Sequence, residues 1–161
     1  MEKHIFNRSY KVNKSCLPKP VKCFMKNKLC TAGLLVIKNN KLLLAYSTNK
    51  QCFYLPGGKV NDGETTEKAL CREIAEELNL QLVEAELEFY THITAPAYGE
   101  REGIIMEQDC FLIRRSVNPV AASEIGELRY FNLQEYLQQP TTAPGAVMIL
   151  QQLTTAGLIQ D

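Results

Sequence analysis

Three glutamates, Glu73, Glu76 and Glu77, lie close together in the segment REIAEELNL, residues 72–80. If this segment is helical, Glu73 lies beside both of the others, because residues three and four apart are neighbours on a helix. Like charges at these spacings cost a helix roughly 0.2–0.5 kcal/mol per pair. Carboxylate oxygens are also the ligands that Mg²⁺ and its substitute Mn²⁺ prefer, and a bound divalent cation would turn the repulsion into attraction. The spacing by itself is therefore compatible with either a solvated helix face or a metal site.

The residues around these glutamates have the chemistry to support such a site. Arg72 lies four positions before Glu76, where its guanidinium can orient that carboxylate or relieve its charge. Gly57 and Gly58 precede the helix and let the backbone approach a ligand closely, because neither has a side chain. Glu64 lies on the loop that leads back to the helix. The loop and the helix face together supply several hard oxygen donors.

Hydrophobic periodicity predicts the elements that position these residues. A helix is expected from the N-cap Thr65 to about Leu78, with Leu70, Ile74 and Leu78 as its buried stripe and Asn79 at the left-handed position after its end. Strands before, between and after helices predict a mixed α/β domain. The other expected elements are strands over residues 29–37, 41–47, 53–60, 81–93, 103–113 and 128–133, a turn at 38–41, a loop at 95–103, and helices at 134–139 and 146–156.

Length and composition limit the class of protein. A chain of 161 residues suggests one domain, and the apolar share of 45% and charged share of 22% are ordinary for a globular protein. No apolar run is long enough to cross a membrane, and the N-terminus lacks the apolar core of a secretory signal. We therefore expect a cytoplasmic protein without a membrane partner. The six cysteines have no CxxC-type spacing and are expected to be reduced structural thiols.

The net charge of zero hides an uneven distribution of charge. Residues 1–28 contain eight lysines and arginines and one glutamate, so the rest of the chain is acidic. We divide the chain into a basic N-terminal arm, residues 1–28, and a folded domain, residues 29–161. The arm has few aromatic residues on which bases could stack, so a solvated or self-packing arm is favoured over one that binds nucleic acid.

The segment GKVNDGETTEKALCREIAEELNL, residues 58–80, resembles the box of the Nudix hydrolases. That box reads Gly, five residues, Glu, seven residues, Arg-Glu-aliphatic-any-Glu-Glu-any-Gly-aliphatic, and every charged position is matched here. The one departure is Asn79 where the family has glycine, and asparagine tolerates the positive φ of that position. A solvated helix face would explain the glutamates alone, but not the matching Gly58, Glu64 and Arg72. A looser resemblance extends over residues 29–161.

The resemblance implies an α/β/α sandwich around a mixed sheet. It also implies hydrolysis of a nucleoside diphosphate linked to another moiety by a metal-activated water. By position in the box, Glu73, Glu76 and Glu77 would be ligands of divalent ions, with one of them a candidate base. The remaining roles carried over are a metal-ligating carbonyl at Gly57, ordering of water at the metal by Glu64, and orientation of the helix carboxylates by Arg72.

Candidates for further roles lie outside the box. Some family members add an acidic residue from a later loop, and the segment of residues 123–131 offers Glu127 or Glu124 as a ligand or base. Tyr98 and Arg101 lie in the loop that often shapes the substrate pocket, where substrate contact and plain surface are both open. Three residues of the neighbouring strands are expected to be structural or to face solvent: His92, Glu107 and Asp109.

Together these observations predict a Mg²⁺-dependent Nudix-type pyrophosphohydrolase that acts on a small nucleotide-like substrate. A (deoxy)nucleoside triphosphate, in the manner of MutT-like members, is one candidate substrate. Two alternatives stay open: a non-catalytic Nudix-fold ligand sensor or regulator, and an RNA 5′-end or cap hydrolase, which the basic arm would suit. The identity of the substrate and the oligomeric state, a homodimer included, do not follow from the sequence.

Overall fold

A computed structural model describes residues 27–160, so all but the last two residues of the predicted basic arm lie outside the described residues. The described chain contains eight strands and three α-helices. The strands are β1 (Lys28–Leu35), β2 (Ile37–Lys38), β3 (Lys41–Ser47), β4 (Cys52–Tyr54), β5 (Gly57–Lys59), β6 (Glu88–Pro96), β7 (Ile105–Leu112) and β8 (Ile125–Phe131). The helices are α1 (Thr66–Leu78), α2 (Leu133–Leu137) and α3 (Pro144–Thr155).

The strands form two four-stranded sheets. The first has the order β5-β1-β7-β6, with β1 parallel to β7 and both outer pairs antiparallel. In the second, β2, β3 and β4 are neighbours in that order and β8 pairs antiparallel with β3. The mixed first sheet brings β5, which begins at Gly57, beside the central strand β1.

Strand β1 separates two hydrophobic clusters because its successive side chains point to opposite faces. Leu34 belongs to the cluster that contains Leu70 and Ile74 of α1. Leu35 belongs to the cluster that contains Ile149 and Leu150 of α3. Helices therefore cover the sheet from both sides, and the predicted α/β/α sandwich around a mixed sheet is confirmed.

Helix α1 has the local structure that its sequence predicts. The Thr65 hydroxyl caps its start by accepting a hydrogen bond of 3.3 Å from the Lys68 amide. Leu70, Ile74 and Leu78 are fully buried. Asn79 ends the helix in the left-handed conformation, with φ 49° and ψ 37°. The helix carrying the glutamates is thus held by a cap at each end and by its apolar stripe.

Elsewhere the structure corrects several predicted boundaries. Residues 81–87 contain a 3-10 turn at Glu84–Glu86 rather than a strand, since none of those three side chains is buried and Glu86 accepts from the Val83 amide instead. Strand β6 then runs on into the predicted loop as far as Pro96, because its register against β7 continues to Ile105. Strand β8 begins at Ile125, and α3 begins at Pro144, whose fixed φ suits the first turn of a helix.

The predicted turn is found, and the prediction of reduced thiols is confirmed for three of the six cysteines, while Cys16 and Cys23 lie outside the described residues. Asn39 and Asn40 both have positive φ and form the two-residue connection between β2 and β3. Cys52, Cys71 and Cys110 are free thiols, as expected. Cys30 on β1 is disulfide-bonded, which corrects the expectation for that residue, and the residue is only partly buried. No helix within residues 27–160 is long and apolar enough to span a bilayer.

Candidate active site

A cavity of about 440 Å³ opens beside the first sheet and α1. Three carboxylates line it: Glu73 and Glu77 of α1, and Glu124, which lies just before β8. Gly57 and Gly58 of β5 also line it. Its apolar lining residues are Leu29, Leu55, Pro96, Ala97, Tyr98, Met106, Ala143 and Ala146.

Glu77 is the buried carboxylate of this cavity, with an exposed fraction of 3%. It accepts a hydrogen bond of 2.9 Å from the Gly57 amide and one of 3.3 Å from the Tyr54 hydroxyl. Burial raises the pKa of the Glu77 carboxyl to about 7, and the nearby charges of Glu124 and Glu73 add to the shift. A negative charge at this position is therefore costly unless a cation lies beside it.

Glu73 is held in place by Arg72 and by the absence of a side chain at Gly58. The Arg72 guanidinium donates to Glu73 Oε1 at 2.5 Å. A Cβ atom at Gly58 would come within 2.5 Å of Glu73 Oε2, so glycine is needed there for space. The backbone of β5 thus passes directly against the Glu73 carboxylate.

Arg72 also grips Glu64, which the sequence placed on the loop before the helix. Its Nε donates to Glu64 Oε1 at 3.0 Å and its second terminal nitrogen donates to Glu64 Oε2 at 2.9 Å. These hydrogen bonds lower the pKa of Glu64 and, with those to Glu73, raise the pKa of Arg72. Arg72 contacts Glu73, one of the helix carboxylates that it is predicted to orient. It does not pair with Glu76 as the helical spacing suggested, because the bidentate grip on Glu64 and the contact with Glu73 engage its guanidinium.

The other box glutamate and the later acidic candidates lie in different places. Glu76 is exposed and is not among the residues that line the cavity. Glu127 is also exposed and pairs with Arg129, outside the cavity. Glu124 lines the cavity and is close enough to Glu77 to raise its pKa. The structure therefore brings together Glu73, Glu77 and Glu124.

The two predicted substrate contacts are separated by the structure. Tyr98 lines the cavity, whereas Arg101 is exposed and does not. Two lysines that the sequence did not single out, Lys50 and Lys59, line it instead. Both approach Glu100 of the loop after β6, at 3.6 Å and 3.3 Å. No local motif marks these lysines, because Lys50 follows β3, Lys59 ends β5, and the two meet at Glu100 only in the folded chain.

His92 lies outside the cavity, where its environment is polar. Its Nδ1 lies 2.7 Å from Asp109 Oδ1 and its Nε2 lies 2.9 Å from Glu107 Oε2. The bond to Asp109, opposed by partial burial and supported by Glu107, raises the pKa of His92. Lys28 and the Thr94 hydroxyl also contact Glu107. This cluster joins the side chains of β6 to those of β7.

The donor chemistry of the cavity suits a hard divalent cation. Within residues 27–160, no three acidic, histidine or cysteine side chains converge as a complete metal-binding group. Mg²⁺ is commonly held by only one or two carboxylates, with waters and substrate phosphates as the other ligands. Glu73 and Glu77 meet that requirement, and the raised pKa of Glu77 marks a carboxylate that a cation would stabilise as the anion.

The fold and the box together define the class of this protein. A family model for the NUDIX domain matches residues 28–153, so the chain belongs to the NUDIX domain family, as the box predicted. An ADP-ribose pyrophosphatase from Methanocaldococcus jannaschii is 51% identical over 49 residues, which span 29% of this chain and 29% of that relative.

Solved structures show the same fold. The MutT NUDIX hydrolase from Burkholderia pseudomallei aligns with a TM-score of 0.66 at 25% identity, covering 80% of this chain and 100% of that one. A bifunctional NMN adenylyltransferase/ADP ribose pyrophosphatase from Francisella tularensis, in complex with AMP and a Mn ion, aligns with a TM-score of 0.61 at 22% identity. That alignment covers 84% of this chain and 43% of the other.

Proposed function

We propose that this chain is a metal-dependent pyrophosphohydrolase that cleaves a nucleoside diphosphate linked to another moiety. The observation that carries the proposal is the shared cavity: two carboxylates of the box, Glu73 and Glu77, line it together with a set of apolar side chains. The carboxylates suit a cation with its phosphates, and the apolar side chains suit an organic group attached to them. ADP-ribose is the first substrate to test, because it is the substrate named for the M. jannaschii relative.

In this proposal Glu73, Glu77 and the Gly57 carbonyl hold the cation, Mg²⁺ or Mn²⁺, and Glu76 keeps the ligand role that its place in the box suggests. When bound, the cation would neutralise phosphate charge and favour deprotonation of the attacking water. Arg72 keeps Glu73 oriented and ties down Glu64. Lys50 and Lys59 would contribute positive charge towards the phosphates.

The chemistry forms one P–O bond from water and breaks the P–O bond of the phosphate bridge. The proton of the attacking water needs an acceptor, and the leaving phosphate carries away the bridging oxygen. Glu124 suits the role of acceptor, because it lines the cavity and its carboxylate has no hydrogen-bond or ion-pair partner among residues 27–160. Of the two acidic candidates that the sequence suggested, Glu127 and Glu124, we therefore assign this role to Glu124.

A product-release screen tests the proposal. The chain is incubated with ADP-ribose, (deoxy)nucleoside triphosphates, nucleotide sugars and dinucleoside polyphosphates, with Mg²⁺ or with a chelator. We expect Mg²⁺-dependent hydrolysis of at least one of these, lost in Glu73→Gln and retained in Glu84→Gln, an exposed glutamate that does not line the cavity. Hydrolysis that survives in a folded Glu73→Gln variant at the wild-type rate would contradict the proposed site.

A further inference from the structure

The sheet wall of the cavity contains two polar side chains that no step above uses. Gln108 of β7 and Thr31 of β1 both line the cavity, and each has an exposed fraction of 7%. They are direct partners in the parallel pairing of the two strands. A buried amide and a buried hydroxyl therefore lie side by side where a ligand would rest.

Neither side chain has a full set of hydrogen bonds. The Thr31 hydroxyl has no partner among residues 27–160. Gln108 accepts only a long contact, 3.9 Å from the Cys110 thiol to its Oε1, and its amide nitrogen has no acceptor in the same part of the chain. Buried polar groups in native proteins nearly always have a partner, in the protein or in ordered water, so this pair in a cavity wall can hydrogen-bond a ligand that replaces the water.

The surface beside this pair is apolar. Leu29 and Met106 are also direct partners across β1 and β7, two residues before Thr31 and Gln108, and so lie on the same face. Both line the cavity. Gly33 leaves room for the amide, since a Cβ there would come within 3.1 Å of the Gln108 side chain. The wall thus combines an apolar surface with an adjacent hydrogen-bonding edge.

We propose that Gln108, assisted by Thr31, recognises the edge of the nucleobase of the substrate. This inference rests on the proposed function only in taking the ligand to be a nucleoside diphosphate derivative. A glutamine amide presents a donor and an acceptor together, and adenine presents the complementary acceptor and donor, N7 and the 6-amino group. The ring would lie against Leu29 and Met106 with this edge towards Gln108. Adenine is therefore the base that we assign to the site.

Binding of two nucleotides tests the assignment without any catalytic step. AMP and IMP differ at the 6-position, where the amino donor of adenine is replaced by an oxygen. Calorimetry without added metal should show AMP binding at least about tenfold more tightly than IMP, because a mismatched edge leaves buried polar groups unpaired. Gln108→Met should remove this preference. Gln151→Met, at an exposed position of α3, should retain it. Equal binding of AMP and IMP by the wild-type chain, or an unchanged preference in Gln108→Met, would overturn the inference.

A second variant covers the case in which Gln108→Met does not fold. Thr31→Val keeps the shape of the side chain and removes an unsatisfied buried hydroxyl, so it should be at least as stable as the wild type and should bind AMP more weakly. A purely structural threonine would leave AMP affinity unchanged in this variant, which would contradict its role in recognition.

Kinetics separate this inference from the proposed function. If ADP-ribose is hydrolysed, Gln108→Met should raise its KM with little change in kcat, as expected for lost substrate binding. If no substrate is hydrolysed but AMP is still preferred through Gln108, the proposed function fails and the inference stands. If hydrolysis is normal and Gln108→Met leaves both KM and base preference unchanged, the inference fails alone.

Discussion

The backbone amide of Gly57 donates a hydrogen bond of 2.9 Å to the carboxylate of Glu77. This bond joins β5 to the end of α1, and both residues line the cavity. It also supplies one of the few polar partners of a carboxylate that burial would otherwise leave unsupported. The position of Glu77 is therefore set from two elements at once.

Replacing Glu77 with glutamine should separate stability from activity. The amide oxygen can still accept from Gly57 and the cost of burying a charge is removed, so the free energy of unfolding should change by no more than about 1 kcal/mol. Hydrolysis should fall by at least about a hundredfold, as for loss of a charged group at a reaction centre. Urea unfolding and initial rates measure the two effects, with Glu84→Gln as control. A folded variant with wild-type activity would remove Glu77 from the proposed site.

Alanine substitutions of the adjacent residues Gly57 and Gly58 should have different effects on stability and activity. In Gly58→Ala the new methyl group meets the side chain of Glu73 and not backbone, so the fold should persist while activity drops by about a hundredfold through displacement of that carboxylate. In Gly57→Ala the methyl group meets the Ala32 carbonyl oxygen at a φ of +132°, and stability should fall by about 3 kcal/mol or more. Thermal unfolding and rates distinguish the two. Gly63→Ala, which has positive φ but no neighbour within 4 Å, controls for backbone strain alone.

Substitution of Asn79 should change the stability of the helix end and leave the rate of hydrolysis unchanged. Its left-handed conformation is costly for residues other than glycine and asparagine, so Asn79→Ala should lose about 1 kcal/mol and Asn79→Gly should stay within about 0.5 kcal/mol of the wild type. Both variants should hydrolyse substrate at the wild-type rate. A rate defect in the stable Asn79→Gly variant would show that asparagine has a role beyond the cap.

Much of α1 could be read from the sequence because its signals are local. The Thr65 cap, the stripe from Leu70 to Leu78 and the end at Asn79 depend only on neighbouring residues. Glu73, Glu76 and Glu77 could not be ranked, since they share one arc of the helix. What separates them is contact with distant residues: Gly57 and Tyr54 hold Glu77, while Glu76 faces solvent.

The rest of the cavity was less accessible to sequence reasoning because it depends on strand pairing. Thr31 and Gln108 carry no motif, and they become neighbours only through the parallel pairing of β1 with β7. Alternation along the strand predicted that Glu107 and Asp109 lie on one face. It could not predict that both contact His92, because His92 lies on a different strand whose register is set by the whole β6–β7 pair.

Removing the negative charge of Glu100 should change the rate at which anionic substrates bind in the cavity. Glu100 partly neutralises Lys50 and Lys59, and although burial opposes the shift, the charges of these lysines lower its pKa. In Glu100→Gln both lysines are freed, so kcat/KM for anionic substrates should rise several-fold at low salt and converge with the wild type at high salt. Glu102→Gln, an exposed neighbour on the same loop, is the matched control. A salt dependence identical to the wild type would show that the lysines do not attract substrate.

The stability of the chain should depend on pH through His92. Asp109, with Glu107, raises its pKa in the folded state above the ordinary value of 6.5. The stabilisation is therefore complete below pH 6.5 and is lost as the pH rises through the folded-state pKa. Urea unfolding of the wild type should show this loss, and His92→Gln should remove that component. The effect should be small, since the His92 side chain is 48% exposed. An unchanged pH profile in His92→Gln would show that other groups cause the dependence.

The parallel pairing of β1 and β7 also has a consequence for the order in which the protein can be made. Strand β1 and the whole glutamate helix leave the ribosome before β7 is synthesised, because parallel neighbours need a long connection between them. Until then β1 lacks its central partner, and Thr31 lies beside no Gln108. The box emerges as a local segment, but the wall that faces the ligand exists only after the later half of the sheet has folded.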